Sequence, residues 1–257
     1  MKKRIIFLHN GFDSAETWKD VESALGDRVR TVSYNRPGYG VQADAEDIPI
    51  HAGDIIADGA TELEKIRCTK GWDRFVLCGH CIGGAIALRY VSLHPGRVIG
   101  VFGESVGLWS DPAMRLKAEL IFGDYDGADP GLRTRMERWH GAERARTLWR
   151  IIKDNRSDYI QSESYSLLSC LKILTIPVCL IYGDRDPYFG KDYLGQVRRQ
   201  MPEADIRTVS RCGHDIHLEK PDIFMRLLED FFEKSYHDKE ALNARFTGSC
   251  QPRVGEP

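Results

Sequence analysis

A cysteine at the junction of a predicted strand and a predicted helix is the residue in this chain best placed for chemistry. Residues 75–84 read FVLCGHCIGG, an apolar run that ends in glycines on either side of Cys81. The apolar run predicts a buried strand, and the small residues that follow predict the start of a helix. A turn this sharp strains the backbone, and Gly79 and Gly83 avoid the collisions that Cβ atoms would make there. The stretch therefore predicts a thiol held on a tight turn, which could be a nucleophile, one member of a redox pair or part of a tight structural bend.

Sulfur at this position favours a particular kind of nucleophile. A thiolate is stabilised by the positive potential at a helix amino terminus and by a neighbouring imidazolium. Attack by Cys81 on an activated carbonyl would produce a thioester, which can pass its acyl group to water, an amine or an alcohol. The residues thus favour hydrolysis or acyl transfer.

The same cysteine forms a CxxC pair with Cys78, a spacing that in another context would indicate redox or metal chemistry. Cys78 belongs to the predicted strand, and its side chain should point into the core. We therefore set redox and metal chemistry of this pair aside, and we expect neither a metal nor a cofactor.

The composition of the 257-residue chain is that of a globular protein with one large core and room for a modest insertion. Its formal net charge of -2, with both signs mixed along the chain, offers no basic face for nucleic acid. The seven cysteines lack framework spacing, and the start of the chain has no apolar stretch long enough for a signal peptide or a membrane span. These features predict a cytoplasmic protein without a nucleic-acid or membrane partner, and they leave its oligomeric state open.

Short apolar runs and amphipathic segments follow one another along most of the chain. The runs predict strands at residues 4–8, 29–34, 75–77, 98–102, 176–182 and 205–210. The amphipathic segments predict helices, the last of them with apolar residues between 223 and 232. Residues 109–174 show apolar residues at helical spacing without a strand, which predicts a mostly helical insertion. From Ser235 onward, polar residues, glycines and prolines predict a loose tail.

Five motifs at predicted strand ends resemble those of the alpha/beta-hydrolase superfamily. GHCIG is the GxSxG nucleophile elbow with sulfur in place of the hydroxyl, and RPGYG resembles the DxPGxG loop. HNGF, GDRDP and GHDIHLE follow the family pattern in the same order. The resemblance implies an α/β fold with a mostly parallel sheet, flanked by helices and covered by a helical cap. It divides the chain into a hydrolase core at residues 1–108 and 175–235, a cap at 109–174, and a flexible tail at 236–257.

The resemblance also implies a triad of Cys81 as nucleophile, Asp186 as acid and His214 as base, in the chain order of the superfamily. The family pattern places the acid three residues after the glycine that ends a strand, which selects Asp186 over Asp184. The carboxylate would hold the tautomer of the histidine and stabilise its cation. Glu104, at the end of another strand, is the alternative acid, and a solvated loop carboxylate is the other interpretation of it.

This superfamily builds its oxyanion hole from backbone N–H groups after an early strand and after the nucleophile. The resemblance implies that Gly11 or Phe12 donates one N–H group and Ile82 the other. Trp139 and His140 are candidates for the roof of the pocket, although aromatic stripes on helices usually belong to the core. The predicted oxyanion and substrate-binding residues are Gly11, Phe12, Ile82, His80 and Trp139.

As a function, the resemblance implies a hydrolase or acyltransferase that acts on a thioester, ester or lactone carbonyl through an acyl-cysteine. Its partner would be a small-molecule acyl substrate, including one bound to a carrier as a thioester. One alternative is a slow or non-catalytic binding or receptor protein on the same scaffold. Another is a serine hydrolase in which cysteine replaces the natural nucleophile and traps substrate. His217 and Arg36 receive no catalytic role.

Overall fold

Six parallel strands form one sheet in the described part of the chain, which in this computed structural model comprises residues 2–41, 54–121, 123–154 and 165–247. The strands are β1 Lys3–Leu8, β2 Val29–Ser33, β3 Phe75–His80, β4 Val98–Glu104, β5 Val178–Gly183 and β6 Asp205–Val209. They lie in the order β2-β1-β3-β4-β5-β6, and every neighbouring pair is parallel. The predicted parallel sheet is confirmed, and its carboxyl ends meet at one edge, where such sheets bind ligands.

Helices cover both faces of this sheet. They are α1 Lys19–Leu25, α2 Asp54–Lys70, α3 Ile82–Leu93, α4 Pro112–Ile121, α5 Pro130–His140, α6 Ala142–Asp154, α7 Leu168–Leu171, α8 Lys191–Gln200, α9 Ile216–Glu219 and α10 Pro221–Thr247. Side chains of α2, α3 and α8 form one buried cluster with the sheet, and those of α1 and α10 form the other. Strand β3 is buried along its whole length because its neighbouring residues point into the two clusters in turn. None of the helices in the described ranges combines the length and apolar character of a bilayer-spanning segment.

The insertion between β4 and β5 consists of α4, α5, α6 and α7 in its described parts, as the helical spacing predicts. Helices α4, α5 and α6 share a small core of their own, to which Phe12 and Tyr188 of the sheet domain also pack. An isolated bridge between Trp109 and Ser166 joins the two ends of the insertion. The fold is therefore an α/β sheet domain with a helical cap.

The last helix extends beyond the predicted end of the core. It continues to Thr247, whereas the sequence predicts a flexible tail from residue 236 onward. The hydroxyl of Tyr236 anchors this extension, since it accepts the N–H of Arg4 at 2.7 Å and donates to the carbonyl of Arg4 at 3.0 Å. Residues 236–247 are thus helical, the flexibility of the tail stays a prediction, and residues 248–257 lie outside the described residues.

Gly83, at the start of α3, is expected to tolerate no side chain. A Cβ atom there would lie 2.3 Å from the carbonyl oxygen of Leu8, and this backbone atom cannot move without shifting β1. Gly83→Ala should therefore lower the free energy of unfolding by about 1–3 kcal/mol, measured by urea denaturation. Gly96→Ala is the matched control, because a Cβ atom at Gly96 meets nothing within 4 Å. Equal stability of the two variants would contradict the close approach of α3 to β1.

Candidate active site

Cys81 stands between β3 and α3 in a strained backbone conformation. Its φ of 52° and ψ of -115° lie outside the regions that non-glycine residues normally adopt. The flanking glycines let the turn close, since a Cβ atom at Gly79 would lie 2.5 Å from the backbone of Gly83. The N–H of Cys81 donates to the carbonyl of Glu104 at 2.8 Å. The backbone therefore makes the sharp strand-to-helix turn that the sequence predicts, and this turn leaves Cys81 partly exposed.

Asp186 orients the ring of His214. Nδ1 of His214 lies 2.8 Å from Oδ2 of Asp186. The other carboxylate oxygen accepts the N–H groups of Tyr188 at 2.9 Å and of Phe189 at 3.4 Å. Burial opposes ionisation of Asp186, but the facing His214 and these hydrogen bonds lower its pKa. The ionised carboxylate keeps a proton on Nδ1, which leaves Nε2 of His214 for exchange with the nucleophile.

The thiol of Cys81 also lies beside His214 and contributes to its pKa. Burial alone would lower the pKa of His214, but the charge of Asp186 and the hydrogen bonds to Asp186 and Cys81 raise it well above its usual value. The three side chains thus form one chain of contacts from thiol to imidazole to carboxylate. Such a chain can take the thiol proton and hold it as an imidazolium.

The side chain of Ser105 interacts with both His214 and Asp186, and it belongs to none of the motifs in the sequence. It has a φ of 49° directly after β4, and its hydroxyl donates to the carbonyl of His214 at 2.9 Å. A hydrogen bond from the same side chain contributes to the lowered pKa of Asp186. Its position at the carboxyl end of a central strand is the signal that would have indicated it.

Glu104, predicted as the alternative acid, lies against His217 and not against His214. Its carboxylate oxygens are 3.0 and 2.9 Å from Nδ1 of His217, and Oε1 accepts the N–H of His217 at 2.9 Å. Burial opposes charge on both residues, but their mutual attraction lowers the pKa of Glu104 and raises the pKa of His217. The two carboxylates therefore serve separate histidines, and the geometry favours Asp186 as the acid.

The loop after β1 favours Gly11 over Phe12 as the oxyanion donor. The N–H of Phe12 donates to the side-chain oxygen of Asn10 at 2.6 Å, so it is already engaged. Arg36 holds this loop by donating to the carbonyl of Asn10 at 2.6 Å, a structural role as expected. Ile82, the first residue of α3, follows the nucleophile directly. We therefore narrow the predicted oxyanion hole to the N–H groups of Gly11 and Ile82.

The predicted roof residues belong to α5 of the cap. Nδ1 of His140 accepts the N–H of Gly40 at 3.0 Å, so the ring proton lies on Nε2, which is 3.0 Å from the carbonyl of Phe12. Burial lowers the pKa of His140, which favours this neutral form. His140 thus ties the cap to the oxyanion loop. Trp139 and His80, both in the predicted binding set, are buried, and their burial favours structural roles.

With this geometry established, comparison with known proteins identifies the family. A family model described as "Alpha/beta hydrolase family" matches residues 5–227. The chain belongs to the alpha/beta hydrolase family. A 2-succinyl-6-hydroxy-2,4-cyclohexadiene-1-carboxylate synthase of Enterobacter sp. (strain 638) is 23% identical over 240 residues, which cover 84% of this chain and 86% of the relative. A 2-hydroxy-6-oxononadienedioate/2-hydroxy-6-oxononatrienedioate hydrolase of Burkholderia vietnamiensis (strain G4 / LMG 22486) is 24% identical over 258 residues, which cover 90% and 87%.

Solved structures share the fold of this alpha/beta hydrolase. A membrane phospholipase A, described as a bacterial virulence factor, matches with a TM-score of 0.73 at 19% identity, covering 91% of this chain and 80% of that chain. A thermophilic esterase from Thermogutta terrifontis matches with a TM-score of 0.69 at 16% identity, covering 91% and 90%. At these identities the likeness concerns the fold, and the hydrolases among the sequence relatives support an enzyme of the alpha/beta-hydrolase type.

Aromatic residues lie in the loops and the cap helix near Cys81 and His214. Phe12 stacks on Trp149 of α6 with ring centroids 5.1 Å apart, and Tyr188 meets His214 edge-on at 5.1 Å. Burial raises the pKa of Tyr165 and that of Tyr188, and the nearby Cys81 thiol adds to both shifts. Several of the residues near Cys81 and His214 are therefore aromatic. Of these residues, the sequence motifs indicate Phe12 but not Trp149, Tyr165 or Tyr188. The two tyrosines lie in loops, which have no periodic pattern.

The alternative chemistry of the CxxC pair receives no support from the geometry. Cys78 is completely buried in the cluster formed with α1 and α10, and both cysteines are free thiols. Burial, followed by the charge of Glu104, raises the pKa of Cys78 well above its usual value. A reactive dithiol needs an accessible thiol with a lowered pKa. Cys78 is buried, and its pKa is raised.

Proposed function

We propose that this alpha/beta hydrolase hydrolyses or transfers the acyl groups of thioesters, esters or lactones through an acyl-cysteine on Cys81. The supporting observation is the chain of contacts from Cys81 through His214 to Asp186, built on a strained turn. His214 takes the thiol proton, and the sulfur attacks the carbonyl carbon. The resulting oxyanion accepts hydrogen bonds from the N–H groups of Gly11 and Ile82.

Collapse of the tetrahedral intermediate breaks the bond to the leaving group. The leaving group takes the proton from His214 and departs as an alcohol or a thiol. Water, or another acceptor, then gives a proton to His214 and attacks the thioester carbonyl. The second collapse expels the sulfur of Cys81 and releases a carboxylic acid or the acylated acceptor. Each proton taken by His214 is returned within the cycle.

The aromatic residues near Cys81 support an acyl group with an apolar or aromatic body, either free or bound to a carrier. Two sequence relatives are named hydrolases of 2-hydroxy-6-oxo-dienoates, which makes such a compound a second substrate class to test. The six free cysteines of the described residues support a reducing compartment, and we propose the cytoplasm.

Intact-protein mass spectrometry tests this proposal. The protein is incubated with an arylacetyl thioester, a p-nitrophenyl ester, a lactone and a 2-hydroxy-6-oxo-dienoate in turn. We expect at least one of them to add the mass of one acyl group, because the thioester with Cys81 forms before water attacks it. Cys81→Ala should abolish the adduct, and Cys68→Ala, which removes an exposed thiol, should retain it.

The lifetime of the adduct distinguishes the candidate functions. An adduct that decays within seconds as product accumulates supports an enzyme, whereas one that persists for hours without turnover supports a binding protein on this scaffold. An adduct that survives Cys81→Ala and disappears in Cys68→Ala would refute the assignment of the nucleophile.

A further inference from the structure

Three buried side chains meet close to the nucleophile but outside the proposed triad. Asp13 lies on the loop after β1, His80 ends β3, and His217 lies in α9. One donor atom from each lies within 4.8 Å of the others, and all three residues are at most 3% exposed. Their positions connect the oxyanion loop, the elbow strand and the segment that follows His214.

The carboxylate of Asp13 is the unexplained member of this cluster. Asp13 is 0% exposed, and neither of its carboxylate oxygens has a hydrogen-bond partner among the described residues. Nδ1 of His80 lies 3.5 Å from Oδ2 of Asp13. A buried carboxylate is costly unless it is paired, hydrogen-bonded or bound to a metal. A positively charged partner inside the cluster would therefore stabilise this side chain.

A carboxylate holds the other ring nitrogen of His217, and a second carboxylate lies near the other nitrogen of His80, beyond hydrogen-bond distance. Glu104 engages Nδ1 of His217 at 2.9 Å, and Oδ1 of Asp215 lies 3.7 Å from Nε2 of His80. Asp215 is held in turn by Arg135 of the cap at 2.5 Å. Metal-binding histidines characteristically donate their second ring N–H to a carboxylate in this way. The remaining nitrogens are Nδ1 of His80, which lies 3.3 Å from the side-chain nitrogen of Asn10, and Nε2 of His217, which contacts a hydroxyl; a metal ion would have to displace both contacts.

The charges of the surrounding groups also favour a bound cation. Asp13, Glu104 and Asp215 contribute three negative charges, and Arg135 contributes one positive charge. With both imidazoles neutral, two negative charges remain, which one divalent cation would balance. Two protons on the histidines would balance them as well, and attraction to Glu104 does raise the pKa of His217 against the effect of burial. A metal ion and a pair of protons are therefore the competing occupants.

We propose that Asp13, His80 and His217 form a binding site for one divalent transition-metal ion of the zinc type. Two imidazole nitrogens and a carboxylate are ligands that suit Zn²⁺. Tetrahedral ligands at metal–ligand distances of about 2.0–2.2 Å lie roughly 3.4 Å apart, so donors that are now within 4.8 Å of one another would have to move closer together. The hydroxyl of Thr17, now 2.7 Å from Nε2 of His217, would turn away or join the coordination. This proposal departs from the expectation that the chain has no metal.

The role of such an ion is to hold the parts of the active site together. His80 directly precedes Cys81, Asp215 directly follows His214, and Asp13 lies two residues after Gly11. An ion shared by these segments would fix the nucleophile, the base and the oxyanion loop relative to one another. It makes no contact with the substrate, so its three ligands are positioning residues.

Zinc binding to the full-length protein tests the site. After chelator treatment, Zn²⁺ is titrated against a competing fluorescent chelator, and the melting temperature is measured with and without Zn²⁺. We expect one ion per chain and a zinc-dependent rise in melting temperature. Asp13→Asn and His217→Gln should each weaken binding by about 100-fold or more. Asp20→Asn and His237→Gln, at exposed residues, are the matched controls and should bind as the unchanged chain does.

Two further measurements can refute the proposed metal site. Without Zn²⁺, Asp13→Asn should melt at the same temperature as the unchanged chain or at a higher one, because the amide removes an unpaired buried charge. Added Zn²⁺ should raise the melting temperature of this variant only slightly. If a variant does not fold, Co²⁺ is bound to the unchanged chain in place of Zn²⁺, and its absorption spectrum reports the ligands. A thiolate charge-transfer band would place the metal on a cysteine and refute the proposal. Absence of binding at micromolar Zn²⁺, or equal binding by Asp13→Asn, would leave protons as the occupants and refute it too.

Discussion

Cys81→Ala is expected to lower kcat/KM for an activated acyl thioester by at least about 10⁴-fold, the scale on which the loss of a catalytic nucleophile acts. Alanine removes the sulfur that attacks the carbonyl and keeps the Cβ atom of the strained turn. The glycine contacts of the elbow remain, so the free energy of unfolding should change by less than about 1 kcal/mol. An assay that follows thiol release measures the rate, and urea denaturation checks the fold.

Cys81→Ser separates two interpretations of the sulfur. If cysteine is the natural nucleophile, the serine variant should be at least about tenfold slower, because its hydroxyl cannot form an ion pair with His214 as a thiol can. Faster turnover by the serine variant would identify Cys81 as a replacement that slows release of the acyl group. Activity of Cys81→Ala close to that of the unchanged chain would remove Cys81 from the mechanism.

The central strands could be predicted from sequence because each is largely a short apolar run that ends near a glycine or a turn, whereas the edge strands β2 and β6 carry polar residues between their apolar ones. Strand β3 illustrates the limit of this pattern. The apolar run predicts a strand over residues 75–77, but β3 continues to His80 because Cys78 and Gly79 pair with β1, and His80 pairs with Glu104 of β4. Pairing depends on neighbouring strands, which a local pattern does not contain.

The pairing of acids with histidines could not be predicted from the residues alone. The family spacing selects Asp186, but nothing in the chain indicates that Glu104 faces His217, a contact created by the packing of α9 against the end of β4. In the same way, the side chain of Asn10 engages the N–H of Phe12 and changes the choice of oxyanion donor. Such contacts depend on side-chain rotamers in the folded chain, which motif spacing does not specify.

The buried cluster next to the elbow shows the same limit more strongly. Asp13 and Arg135 belong to no motif, and they become informative only when folding brings them together with His80 and Asp215. His217 lies in a motif, but its carboxylate partner is more than 100 residues away in the chain. Long-range charge networks of this kind have no signature in the local sequence, so a structure is needed to find them.

Asp186→Asn is expected to lower kcat/KM by about 10²- to 10⁴-fold. The carboxylate now accepts from His214 with one oxygen and from the N–H groups of Tyr188 and Phe189 with the other. An asparagine that keeps its oxygen on the backbone N–H groups must turn its NH₂ group toward Nδ1 of His214. That contact favours the tautomer with its proton on Nε2, which cannot accept the proton of the Cys81 thiol. Steady-state kinetics on the thioester measure the loss.

Glu104→Gln is the matched control, since it also converts a buried, histidine-bound carboxylate into an amide. Glu104 contacts His217 and not His214, so kcat/KM per folded molecule should stay within about threefold, as expected for a group outside the reacting chain. The change should appear in the free energy of unfolding instead, as a loss of about 3–5 kcal/mol, because His217 would lose its buried partner. Circular dichroism gives the folded fraction that normalises each rate. A larger rate loss in Glu104→Gln than in Asp186→Asn would transfer the role of the triad acid to Glu104, because the two substitutions differ mainly in which histidine loses its carboxylate.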